Sequence, residues 1–158
     1  MANSSASPSL RAGIFASLPH DIVEKRLQIF QMEPGSSLVM RSSEYARDWP
    51  WMDNIYVRRD SFTSKRGFFT QHFRCRLWTK TAYQSKVESD RRKRVTKSRA
   101  AHGCPCTLKI VVFPGDQDVT IVCSSKEGHN HPIEEIEKIP SGLRDLVAAE
   151  IANGYPAA

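Results

Sequence analysis

Hydrophobic and polar residues alternate most cleanly over residues 104–113 (CPCTLKIVVF). Cys104, Cys106, Leu108, Ile110 and Val112 share one face there and Thr107 and Lys109 the other, which is the period of a half-buried strand. Pro114, Gly115 and Asp116 turn the chain, and residues 118–124 (DVTIVCS) return, so a hairpin is expected. Upstream, residues 54–59 and 67–78 are rich in β-branched and aromatic side chains. They are expected to pair as a second antiparallel hairpin, with the polar residues 60–66 as its loop. Both flanks read as helical. Residues 18–30 place Ile22, Leu27, Ile29 and Phe30 among charges, behind Pro19 and Asp21 in positions that suit a helix start. A helix over residues 142–152 is expected to be capped by Ser141 and stopped by Asn153 and Gly154. Glu33, Pro34 and Gly35 read as a turn, and Tyr45, Trp49 and Trp51 around Pro50 as an aromatic group sealing one end of the fold. Residues 79–103 are too polar for a core and read as a long loop or solvated helix. The fold class expected is α+β, a small antiparallel sheet with short flanking helices.

Composition sets the scale. With 158 residues, 40% of them hydrophobic, the chain has room for one domain with tails and none for a large multi-domain enzyme. No stretch approaches the ~20 apolar residues of a membrane span, and the amino terminus lacks the apolar run of a secretory signal. The expectation is a soluble, non-secreted protein with no membrane partner and no small-molecule substrate. The first 17 residues, rich in Ser, Ala and Pro, read as a disordered tail.

Charge is distributed very unevenly. Residues 58–109 carry fifteen basic and three acidic side chains, a net of +12, against −1 before them and −5 after. Such a middle is the footprint of a polyanion, because each Lys or Arg at a phosphate releases condensed counterions. The competing reading is a solvated basic face or a nuclear localisation signal, and the latter is compatible with the first.

Four cysteines in a chain read as intracellular are expected as metal ligands or buried thiols rather than disulfides. His129 and His131 lie one residue apart near the end of an expected strand, and in an extended chain two such imidazoles project from the same side. Cys75 ends one apolar strand and Cys104 begins the next. Two thiolates and two imidazoles make a tetrahedral zinc set, so Cys75, Cys104, His129 and His131 are the candidate ligands of one structural Zn²⁺. Four protein donors leave no open position for a reactive water, and the chain is expected not to be an enzyme. A cysteine hydrolase using Cys104 or Cys106 is disfavoured, since thiols on an apolar strand face lack what lowers a nucleophile's pKa. Cys106 and Cys123 read as core thiols, Cys106 being the substitute should Cys104 not serve. His20, His72 and His102 show no partner pattern.

The pieces HFRC (72–75), GCPC (103–106) and KEGHNHP (126–132) resemble the zinc half of the WRKY and glial-cells-missing superfamily, which includes FLYWCH domains and the WRKY-like fingers of Mutator-like transposases. The resemblance spans roughly residues 54–133. It implies a four- or five-stranded antiparallel sheet tied at one end by a CCHH zinc, with the same four ligands. The WRKYGQK heptad of plant members is absent, so their base contacts have no counterpart here. The interval between the two cysteines is closer to that of the transposase-type fingers, and it carries RRKR. Residues 138–158 resemble the helical stretch that follows the transposase finger, which implies the amino-terminal piece of such a protein or a domesticated descendant.

The organisation expected is therefore a tail (1–17), a helical and aromatic extension (18–53), a zinc-binding domain (54–133), and a linker with a carboxyl-terminal helix (134–158). By the resemblance, the DNA-reading strand precedes the strand of the first cysteine. That puts Arg58, Arg59, Lys65 and Arg66 near the major groove, with Arg91, Arg92, Lys93, Arg94, Lys97 and Arg99 as phosphate contacts. The function expected is double-stranded DNA binding in the nucleus, by a transposase-derived protein or transcription regulator. The alternative is a zinc-built protein-interaction module that uses the acidic carboxyl-terminal helix and the region of Trp49 and Trp51.

Overall fold

The computed structural model describes residues 20–81, 86–91, 93–94, 101–115, 117–136 and 138–154. The expected tail at 1–17 lies outside them. Five antiparallel strands form one sheet in the order β1-β5-β4-β3-β2. They are β1 (Ser37–Arg41), β2 (Tyr56–Thr63), β3 (Phe69–Cys75), β4 (Thr107–Val112) and β5 (Asp118–Cys123). Three helices accompany them: α1 (His20–Phe30), α2 (Ser42–Asp48) and α3 (Ser141–Ala152). The fold is thus α+β, as its alternating segments imply. Among the described residues no helix is long and apolar enough to cross a membrane.

Both expected hairpins form, β2 with β3 and β4 with β5. Register puts Phe73 opposite Leu108, Ile110 opposite Ile121, and Met40 opposite Val119. These side chains share one face and are buried. Each contributes about 1.5–3 kcal/mol by leaving water. Ile29 at the end of α1 and Met52 and Ile55 before β2 close over that face. Trp49 stacks on Tyr45 and on Tyr56 and meets Phe73 edge-on, whereas Trp51 lies against Gly142 of α3. The opposite face carries Val57, His72, Arg74, Lys109 and Thr120, none of them buried.

Three local readings change. Residues 60–63, expected as loop, continue β2, because pairing with β3 overrides their weak strand preference. The register slips between Arg58 and Asp60, making Arg59 the extra residue of a bulge. Residues 37–41 add an edge strand from within the expected extension. Its outward Val39 is 58% exposed, which hides the alternation of Leu38 and Met40. Ser141 is the first residue of α3 rather than its cap. The helix is preceded by Pro140, and the Ser141 hydroxyl donates to the Asp53 carboxylate.

The helices are tied down by polar contacts. Buried Asp48 accepts from Lys25 Nζ at 2.8 Å and from Arg47 Nε at 2.6 Å, joining α1 to α2. Burial pushes the Asp48 carboxyl up, but the hydrogen bonds and positive charges of Arg47 and Lys25 together outweigh it and hold the group below its ordinary range. Arg26 donates to the Trp51 carbonyl at 2.6 Å and to Asn54 Oδ1 at 2.5 Å, and Asn54 Nδ2 donates to the Lys138 carbonyl at 2.6 Å. Asp53 also accepts the backbone N–H of Ser141 at 3.0 Å. Gly142 lies so close to Trp51 that a Cβ there would sit 2.9 Å from the indole, so only glycine lets α3 dock.

Candidate metal centre

Three segments bring four donors together at the end of the sheet. Cys75 ends β3, and its N–H donates to the Cys106 carbonyl at 2.9 Å. Beyond it the chain pairs with the segment leading into β4. Cys104 N–H donates to the Leu77 carbonyl at 2.9 Å and Gly103 N–H to the Thr79 carbonyl at 2.8 Å. Gly103 has φ +59°, the left-handed region that favours glycine, and this turn delivers Cys104 to the site. His129 and His131 arrive from the segment that follows β5. The ligating atoms of Cys75, Cys104, His129 and His131 all lie within 4.8 Å of one another.

The contacts show how these groups are poised. Cys75 Sγ is 3.1 Å from His131 Nε2, Cys104 Sγ is 3.3 Å from His129 Nδ1, and the two ring nitrogens are 3.3 Å apart. The outer nitrogens are both engaged. His131 Nδ1 donates to the Pro132 carbonyl at 2.9 Å, which leaves Nε2 as a lone pair facing the sulfurs. His129 Nε2 is 3.1 Å from the Tyr56 hydroxyl, which is in turn 3.4 Å from the Ile29 carbonyl. A carbonyl only accepts, so the tyrosine donates to Ile29 and its oxygen accepts the N–H of His129 Nε2, leaving Nδ1 free. Burial and the surrounding cysteines push the Tyr56 hydroxyl well above its ordinary range, so it stays a neutral donor. Phe30 stacks on the His129 ring with centroids 4.1 Å apart, closing the site from α1.

Two inward lone pairs and two sulfurs facing each other repel unless something positive lies among them. The thiols respond by sharing. A hydrogen bond from Cys75 chiefly, with others from the N–H groups of Cys106 and Asn130, holds Cys104 well below the ordinary thiol range against the opposing effect of burial. The same bond, together with burial, pushes Cys75 up. A cation among the four atoms relieves the repulsion and lets both sulfurs ionise. The donor set therefore fits a metal ion, held by Cys75, Cys104, His129 and His131.

Cys106 and Cys123 are buried in the core beside this centre. Burial, with Cys123 adjacent, pushes the Cys106 thiol up to about 12, as befits an inert packing group. His72, without a partner pattern in sequence, pairs with Asp60 at 2.5 Å. His102 packs its ring against His131 at 5.5 Å and lies 3.5 Å from Glu135. The groups that orient the imidazoles, Tyr56, Pro132 and Phe30, carry no signal in sequence. They become visible only once the register of β2 and the path of α1 are known.

The candidate DNA contacts are distributed along one edge and beyond it. Arg58 and Arg59 are exposed on β2, the free edge strand, and Lys65 and Arg66 are exposed at the tip of the β2–β3 hairpin. Arg91 lies in a single 3-10 turn, Ser89–Arg91, 3.7 Å from Glu88, and Lys93 and Arg94 are exposed. Arg92, Lys97 and Arg99 lie outside the described residues. Comparison of the chain with protein-family models, with curated proteins and with solved structures finds no match.

Proposed function

We propose that the protein is a zinc-stabilised double-stranded DNA-binding module of the WRKY and glial-cells-missing type, acting in the nucleus as part of a transposase-derived protein or transcription regulator. The observation that carries the reading is the convergence of Cys75, Cys104, His129 and His131 with both outer ring nitrogens engaged. Two soft thiolates with two neutral imidazoles favour Zn²⁺, and hydrogen bonds to the outer nitrogens fix the tautomers that a metal needs. Zinc there supplies a cross-link between strands, and four protein donors leave no position for a substrate or water.

The DNA reading is supported by charge and shape. A two-stranded ribbon fits a major groove about 12 Å wide. Here β2 and β3 form such a ribbon at the sheet edge, with Arg58, Arg59, Lys65 and Arg66 exposed along it. The remaining cations lie in the insert between the two cysteines, where phosphate contacts give affinity without sequence information.

The test pairs metal content by mass spectrometry with selection from random duplex DNA at about 150 mM salt, a concentration at which nonspecific binding is weak. One zinc per chain and an enriched motif are expected. Zinc without any motif favours the second reading, a zinc-built protein-interaction module. One observation points toward that module: Leu146, Val147 and Ile151 of α3 are 40%, 41% and 70% exposed. A chain free of metal in reduced preparations overturns both.

A further inference from the structure

Beside the metal centre, on the sheet face turned away from the helices, lies an open cleft of about 530 Å³. Arg59, Arg74 and Lys80 line it against a single carboxylate, Glu127. Arg74 stands opposite Thr107 in the β3–β4 register, and its guanidinium carbon rests 3.5 Å from the centre of the Trp78 ring. That stacking holds the planar fork in place without using its donors. Arg74 Nε is buried and has no hydrogen-bond partner among the described residues. Desolvation of an unpaired guanidinium is costly, and an anion in the cleft offsets that cost through its charge. Asn130 adds a neutral donor on the rim, with one amide hydrogen already given to the His102 carbonyl.

The position of the cleft indicates what the anion belongs to. Arg59 is the bulged residue of β2, so the cleft opens onto the strand proposed to approach the groove. Trp78, Lys80, Gly103 and Cys104, in and beside the paired stems, line it, so the basic insert leaves and returns beside it. We infer that this cleft seats one backbone phosphate of duplex DNA, with Arg74 as its principal donor and Arg59 and Lys80 flanking it. The inference rests on the DNA-binding reading above and deepens it. It assigns a fixed register contact to Arg74, a residue within the sheet rather than in either exposed basic cluster.

The experiment measures duplex affinity against salt concentration for the full, zinc-loaded chain and for Arg74→Gln, Lys80→Gln and the charge-matched control Arg144→Gln on α3. A lost phosphate contact lowers the slope of log K against log salt by about 0.9. Arg74→Gln is expected to lower it by about that amount, and to weaken preferred and random duplexes by the same factor. Lys80→Gln, at an exposed position, is expected to act in the same direction and serves if Arg74→Gln does not fold. Arg144→Gln is expected to leave the slope unchanged. Duplex binding with an unchanged slope in both cleft variants overturns the inference and leaves the DNA reading standing. A wild-type chain without duplex affinity overturns that reading, and the inference with it.

Discussion

Two closures between residues far apart in sequence hold the chain, and they are made of different materials. At the metal centre, Cys75 meets His131 across 56 positions at 3.1 Å. At the other closure, Asp53 meets Ser141 across 88 positions and Asn54 meets the Lys138 carbonyl at 2.6 Å. The second is made of protein atoms alone, with the Ser141 N–H and hydroxyl turned to Asp53 and Pro50 and Gly142 seated against Trp51. The first leaves two sulfurs and two ring lone pairs facing one another. One closure is intrinsic to the chain, and the other is a donor set that could hold a cation. Both are anchored within four residues, since Asp53 and Asn54 hold α3 while Tyr56 holds His129. The contrast teaches that a small sheet can hold one closure by packing and hydrogen bonds and leave its neighbour to a donor set that fits a metal.

The largest expected effect breaks the closure at the metal centre. Chelation, or Cys104→Ala, should remove on the order of 10 kcal/mol, comparable to the whole stability of a small domain. Residues 54–133 should then unfold, as read by circular dichroism and amide exchange; unchanged signals after verified metal removal would sink the assignment. Leu108→Ala, in the sheet that both closures share, should cost about 2–5 kcal/mol. Its denaturant transition should carry both closures together, and two separate transitions would show that they are not mechanically joined. Tyr56→Phe should loosen the metal about 10- to 100-fold, because the His129 ring loses the group that fixes its tautomer. Competition against a chelating dye measures this, and an unaltered affinity would remove Tyr56 from the centre's support. Ser141→Ala should cost about 1 kcal/mol in denaturant unfolding through its lost hydroxyl bonds. Metal affinity should be untouched, and a change there would contradict the separation of the two closures.

Much of the sheet is written in local pattern. The alternation around Leu108 and Ile110 survives because β4 is central and one of its faces is fully buried. Edge strands are less legible. In β1 an outward Val39 breaks the pattern, and in β2 pairing with β3 recruits residues 60–63, whose composition suggests a loop. The four candidate ligands are readable because Cys and His are few and their spacing is constrained by strand ends. Their supports are not, since Phe30 and Tyr56 look like any core aromatics until α1 and β2 are placed in space. The Arg74–Trp78 stack is likewise a product of the chain leaving β3 in a turn, a path that no periodicity encodes.

The paired stems at Leu77–Thr79 and Gly103–Cys104 carry one further consequence. Because the backbone is clamped there by two hydrogen bonds, whatever lies between residues 80 and 102 enters and leaves at one point. Loop-closure entropy grows only logarithmically, so doubling such an excursion costs about 0.6 kcal/mol. The position is therefore a natural port for engineering. A fluorescent reporter, an affinity tag or a second binding module can be spliced between the stems with the geometry of Cys75 and Cys104 held fixed by the clamp.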